Sequence, residues 1–91
     1  MGQETVIFSS EETADRQRVS SFLRELADKI DSGEVILQQG TDEVSLSIPD
    51  QVTLEVKAEE EHDETGEIEE FSLEVEIEWK PGAAVSGVGL G

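Results

Sequence analysis

His62 stands in the run Glu59-Glu60-Glu61-His62-Asp63-Glu64, and an imidazole beside carboxylates is raw material for a general base or a metal ligand. The chain supplies no second histidine and no cysteine, and the run lacks the alternating oxygen donors of a calcium loop. Such a run between strands reads as a solvated connector with loosely condensed cations, so no metal site is assigned. Trp79, the single tryptophan, could stack on a planar ligand or hold a cation over its ring. It shares the parity of Ile77 and Val75, however, which makes it a core-closing residue with its N–H turned to a rim acceptor. Ser9, Ser10, Ser20 and Ser21 have neither a histidine partner nor a glycine elbow to make a nucleophile of them. Gly87-x-Gly89-x-Gly91 leads into no helix and is no phosphate loop. No catalytic residue and no cofactor site emerges, and the chain is expected not to be an enzyme.

The residues with a regular surface placement are acids. From Glu69 to Lys80 the chain reads Glu-Glu-Phe-Ser-Leu-Glu-Val-Glu-Ile-Glu-Trp-Lys. A period of two puts Phe71, Leu73, Val75, Ile77 and Trp79 on one sheet face and Glu74, Glu76 and Glu78 on the other. Glu55 and Glu59 share the outer parity of a preceding strand. A surface of Glu55, Glu59, Glu74, Glu76 and Glu78, with Trp79 at its end, is therefore the candidate interaction site. Antiparallel sheets tolerate a wet face, so a merely solvated acidic face is the plainer reading of the same residues.

These residues sit in a chain of 91, enough for one small domain. Six Lys plus Arg oppose 23 Asp plus Glu, a formal charge of -17. That balance excludes phosphate-driven nucleic-acid binding and attraction to anionic membranes, and leaves basic, cationic or apolar partners. High charge with modest hydrophobicity is also a mark of disorder. Here the acids interleave with Val, Leu and Ile at strand spacing or lie opposite a helical stripe, which implies a folded chain. Like charges at this density oppose compaction across a Debye length of about 8 Å at physiological salt and lose that effect in molar salt. The chain has three lysines and no asparagine. Together these features suit a halophile's protein. Without cysteine there is no disulfide framework. The first residues form no signal peptide or acylation motif, and no apolar run approaches membrane-spanning length, so a cytoplasmic location is expected.

The elements that must position the acidic face follow in order. Thr5 to Ser9 reads as a first strand. A helix is expected over Arg16 to Ser32 with Asp15 as N-cap and Gly33 as left-handed C-cap. Val19, Phe22, Leu23, Leu26, Ala27 and Ile30 make one apolar stripe along it. Glu34 to Gln39 and Glu43 to Ile48 read as a hairpin around Gly40-Thr41-Asp42, and Pro49-Asp50 reverses the chain again. Gln51 to Ala58 is a fourth strand with Leu54 and Val56 inward. The run Glu59 to Gly66 connects it to the alternating strand, with which it forms the main hairpin. The expected fold is α+β in two layers, one helix packed on a mainly antiparallel sheet in the order β-α-β-β-β-β, with about twenty side chains in the core. Residues 1–80 would form the domain and 81–91 a glycine-rich tail.

Phe71-x-Leu73-x-Val75-x-Ile77-x-Trp79-Lys80, the upstream Phe22-Leu23-Arg24-Glu25-Leu26-Ala27-Asp28-Lys29-Ile30 closed by Gly33, and the Pro49-Asp50 turn together resemble the amphi-Trp domain family over about residues 4–79. The resemblance implies a compact α+β domain of a kind frequent among salt-loving archaea. It brings no established biochemical role and no catalytic residue to carry over.

Two functions are consistent with this sequence. One is a non-enzymatic protein-interaction or binding module adapted to high salt. Its partner would be another protein or, through a sheet edge or an off-core patch of Ile7, Ile36 and Ile68, a second copy. The other is a small-ligand or cation-binding protein that uses Trp79 and the acidic loop around His62.

Overall fold

A computed structural model of the chain describes residues 2–82. All but the first two residues of the expected glycine-rich tail lie outside the described residues. The chain divides into two compact units, Met1–Ile48 and Pro49–Gly91.

In the first unit, α1 spans Arg16–Ser32 as the stripe predicts. Asp15 is extended, and its carboxylate accepts from the Arg18 N–H at 2.8 Å, satisfying one of the free donors of the first turn. Gly33 ends the helix at φ 90°, and its N–H reaches the carbonyls of Ile30 and Lys29 at 3.0 and 3.1 Å. A side chain at that position would meet the left-handed penalty that glycine avoids. Strand β1 (Glu34–Gln39) follows at once and pairs antiparallel with β2 (Asp42–Ser47). Gln39 faces Asp42 across a two-residue turn whose first residue, Gly40, has φ 61°, the positive value a II′ turn requires there. Helix α1 packs on β1. Val35 is buried at 5% exposure, with Leu37, Val44, Leu46, Leu26 and Ile30 half-buried around that layer.

In the second unit, β3 (Thr53–His62) and β4 (Ile68–Glu78) form one long antiparallel hairpin. Its register puts Leu54 opposite Ile77, Val56 opposite Val75 and Ala58 opposite Leu73, all on one face. The opposite face pairs Thr53 with Glu78, Glu55 with Glu76, Lys57 with Glu74 and Glu59 with Ser72. The turn is fixed by Asp63. Its carboxylate accepts from the Thr65 hydroxyl at 2.6 Å and from the N–H groups of Thr65 and Glu67 at 2.8 and 3.1 Å. Gly66 follows at φ 90°.

The structure corrects four expectations. Thr5 to Ser9 forms no strand. Val6 and Ile7 are 76% and 63% exposed, and β-branched residues make a strand only where a neighbouring strand takes up their backbone groups. The four remaining strands form two separate two-stranded sheets rather than one meander. Pro49, which has no N–H to give a ladder, stands in the unpaired stretch between Ser47 and Thr53. The connector is shorter than the charge run suggested, because β3 continues through Glu59, Glu60 and Glu61 to His62. Finally, the expected large core is absent from the described residues. Val35 is the buried apolar side chain, whereas Leu54, Val56, Phe71, Leu73 and Val75 range from 63% to 73% exposed.

Candidate functional site

The hairpin brings the five glutamates of the expected surface onto one face. Glu55 and Glu76 are directly opposite, and Glu78 lies beside them, with Glu74 and Glu59 further along toward the turn. Carboxylate oxygens of Glu55, Glu76 and Glu78 lie within 4.8 Å of one another. Lys57 answers the other two, its Nζ 3.9 Å from both Glu59 and Glu74. All are exposed, so these pairs are worth little in water and less in salt. Like charges directly opposite destabilise a ladder, and a condensed counter-cation relieves that cost. Oxygen donors of this kind suit a hard cation such as Mg2+ or Ca2+. Alternation alone could not reveal this trio, because it depends on which residue of β3 faces which residue of β4.

The ladder that sets this face ends at Glu78, one residue short of Trp79. Trp79 is half-buried. His62 is at the other end of the hairpin, opposite Ile68, with its Nε2 3.7 Å from Glu60 Oε1. The length of β4 separates the two, about 35 Å at strand rise. The structure therefore does not bring Trp79 and the His62 loop together into one ligand site. Asp63, the loop's strongest acceptor, is already engaged, and its hydrogen bond from Thr65 holds its carboxyl below the ordinary range.

A register shift at Glu61/His62, which leaves Glu69 unpaired on β4, is a bulge that the sequence did not suggest. It moves Ile68, expected at off-core parity beside Ile7 and Ile36, onto the face of Phe71 opposite His62. The result is an apolar face running from Leu54 and Ile77 at the open end to Phe71 and Ile68 near the turn. Glu60, opposite Phe71, is the one carboxylate the register places on it. Among the described residues of its unit, none covers this face.

The family model of the Amphi-Trp domain matches residues 1–89. The chain belongs to the Amphi-Trp domain family. The match runs past Trp79 into the glycine-rich end, further than the motifs alone suggested. No curated protein and no solved structure matches this Amphi-Trp chain. The alternating motif that carried the resemblance is β4, with Trp79 one residue past its end, and its two-sided character is what the hairpin displays. Among the described residues, no helix is long and apolar enough to cross a membrane.

Proposed function

We propose that this Amphi-Trp chain is a non-enzymatic interaction module adapted to high salt, and that it engages its partner through the apolar face of the β3–β4 hairpin. The observation that carries this reading is the exposure of that face, with Phe71 at 69% and Leu73 at 73%. An isolated two-stranded hairpin is at best marginally stable in water. A contiguous apolar patch of this size on a small domain marks a binding surface. The carboxylates of the opposite face keep the hairpin hydrated while the apolar side is engaged. A charge of -17 tolerates compaction best in the salt-rich cytoplasm that the composition suits. A basic or apolar protein surface fits this site; nucleic acid does not.

The test is a pull-down from a lysate held in molar KCl, comparing the native chain with Leu73→Glu on the apolar face and Glu76→Gln on the acidic one. A specific protein, this chain included, should be retained by the native chain and by Glu76→Gln and lost with Leu73→Glu. Retention of nothing by any of the three would refute the interaction reading.

A further inference from the structure

We infer that the open edge of β1 takes up an extended peptide of another protein as an added strand, one that carries a β-branched apolar residue beside a lysine or arginine. The site lies wholly within the first unit and does not depend on the β3–β4 face, so either reading can fail alone. Three features of the unit support it.

The first is a set of unused backbone groups. Residues that flank a two-residue turn exchange both ladder hydrogen bonds, and the alternation then runs back along the strands. Gln39 and Asp42 flank the turn here, and Leu37 with Val44 and Val35 with Leu46 follow in the same phase. The Ile48 N–H reaches the Gly33 carbonyl at 2.8 Å and continues it. The N–H and C=O of Ile36 and Gln38 therefore point away from β2. Among the described residues, no hydrogen bond takes them up. They stand about 6.8 Å apart, the repeat at which an added strand pairs.

The second is a cleft along that edge. A hollow of about 480 Å³ lies between β1, the N-terminal half of α1 and the segment before it, within the range of pre-formed binding sites. Successive β1 residues from Ile36 to Gln39 line it, and an edge is where a strand presents residues of both faces to one hollow. Phe8 and Phe22 form its apolar wall. The edge is also unguarded. Strand β1 has no lysine, proline or bulge, the devices that keep edges from pairing, and the Gln38 side chain is drawn toward β2 by Glu43 Oε1 at 2.9 Å.

The third is charge. Arg18 at the rim is spent on Glu12 at 2.9 Å and lies 5.7 Å from the centre of the Phe22 ring. Glu11, also at the rim, has no ion pair among the described residues. The mouth of the cleft is thus net negative, in a chain of charge -17, and selects a basic residue beside the apolar one. Main-chain pairing to an open edge with a pocket for alternate side chains is a general mode of peptide capture.

The experiment is amide hydrogen exchange by NMR on the whole chain, titrated with a capped hexapeptide of alternating lysine and valine at several KCl concentrations. Saturating peptide should slow exchange at Ile36 and Gln38 at least tenfold and leave Leu37, already bonded to β2, unchanged. A glutamate-for-lysine peptide should bind at least tenfold more weakly at low salt, with the gap narrowing as KCl rises. Ile36→Pro removes an edge donor and no ladder bond, so it should keep the circular dichroism of the native chain and lose at least tenfold in affinity. The lysine peptide with N-methylated amides leaves the chain itself untouched and should lose as much. Unchanged exchange at Ile36 and Gln38 up to millimolar peptide overturns the inference, as does full binding of the N-methylated form. Slow exchange at both amides in the dilute, peptide-free chain would mean that Thr5 to Ser9 closes the edge. Slowing that follows chain concentration would mean that a second copy does. Either result overturns the assignment to a foreign peptide, and equal binding of the glutamate peptide at low salt overturns its basic character.

Discussion

Val35→Ala tests the packing argument most directly, since Val35 is the described apolar side chain that the fold buries. Val35 faces Leu46 across the β1–β2 ladder, on the strand that α1 packs against. The substitution removes two methyl groups from a site 5% exposed. At about 0.8 kcal/mol per buried carbon, the transfer loss is about 1.6 kcal/mol. A cavity contribution adds to it, but a modest one, because the half-buried Leu37, Val44 and Leu26 can relax toward the gap. The expected cost is therefore about 2 kcal/mol, or a fall of about 8 to 16 °C in melting temperature for a chain of this length. The assay is a thermal melt followed by far-UV circular dichroism in molar KCl, so that self-repulsion does not add to the change. An unchanged melting temperature would refute the assignment of Val35 as the packing centre of the first unit. Val75→Ala makes the companion measurement. At 63% exposure it should cost well under 1 kcal/mol in a lone chain, and a cost close to that of Val35→Ala would mean the residue is covered in solution.

Further expectations concern the turn, the helix end and the acidic ladder. The carboxyl of Asp63 is held below its ordinary value by Thr65, so its support of the turn is complete above the ordinary aspartate range and is lost as pH falls through the lowered value. Hydrogen exchange at the Thr65 and Glu67 amides should accelerate across that acid window, and in Asp63→Ala it should be fast at every pH. Gly33→Ala forces a β-carbon into φ 90° and should cost about 1 to 2 kcal/mol in a thermal melt. Glu55→Gln removes one of two directly opposed carboxylates and should stabilise the hairpin by about 0.2 to 1 kcal/mol at low salt, a gain that should vanish in molar KCl. Titration with Mg2+ or Ca2+ in molar KCl should leave the fluorescence of Trp79 flat, because the exposed Glu55, Glu76 and Glu78 cluster is expected only to condense cations loosely and Trp79 lies past the ladder that assembles it; a saturable change at micromolar metal would contradict that reading.

Local signals carried most of what could be read before the structure. The stripe from Val19 to Ile30, Asp15 as cap and Gly33 as stop define α1 to the residue, because each works through contacts within one or two turns. The alternation from Phe71 to Ile77 likewise settles which side chains share a face. What the sequence left hidden depends on partners distant along the chain. Thr5 to Ser9 has the composition of a strand but no neighbouring strand to pair with. Whether Val56 and Leu73 are covered is a matter of what stands over the sheet, which no alternation can state. The bulge at Glu69 was invisible for the same reason, since it is a mismatch between two strands and belongs to neither alone. For the acidic face, parity grouped Glu55, Glu74, Glu76 and Glu78, but the closeness of three carboxylates required the register.

The position of Trp79, half-buried one step beyond the last rung of β4, has a practical consequence for anyone watching this molecule unfold. The sole indole reports on the open mouth of the ribbon, where strands fray first, and is blind to the Asp63 bend at the far extremity. Emission and circular dichroism should therefore trace different curves whenever the mouth loosens before the bend. Their divergence measures how firmly that mouth is clasped.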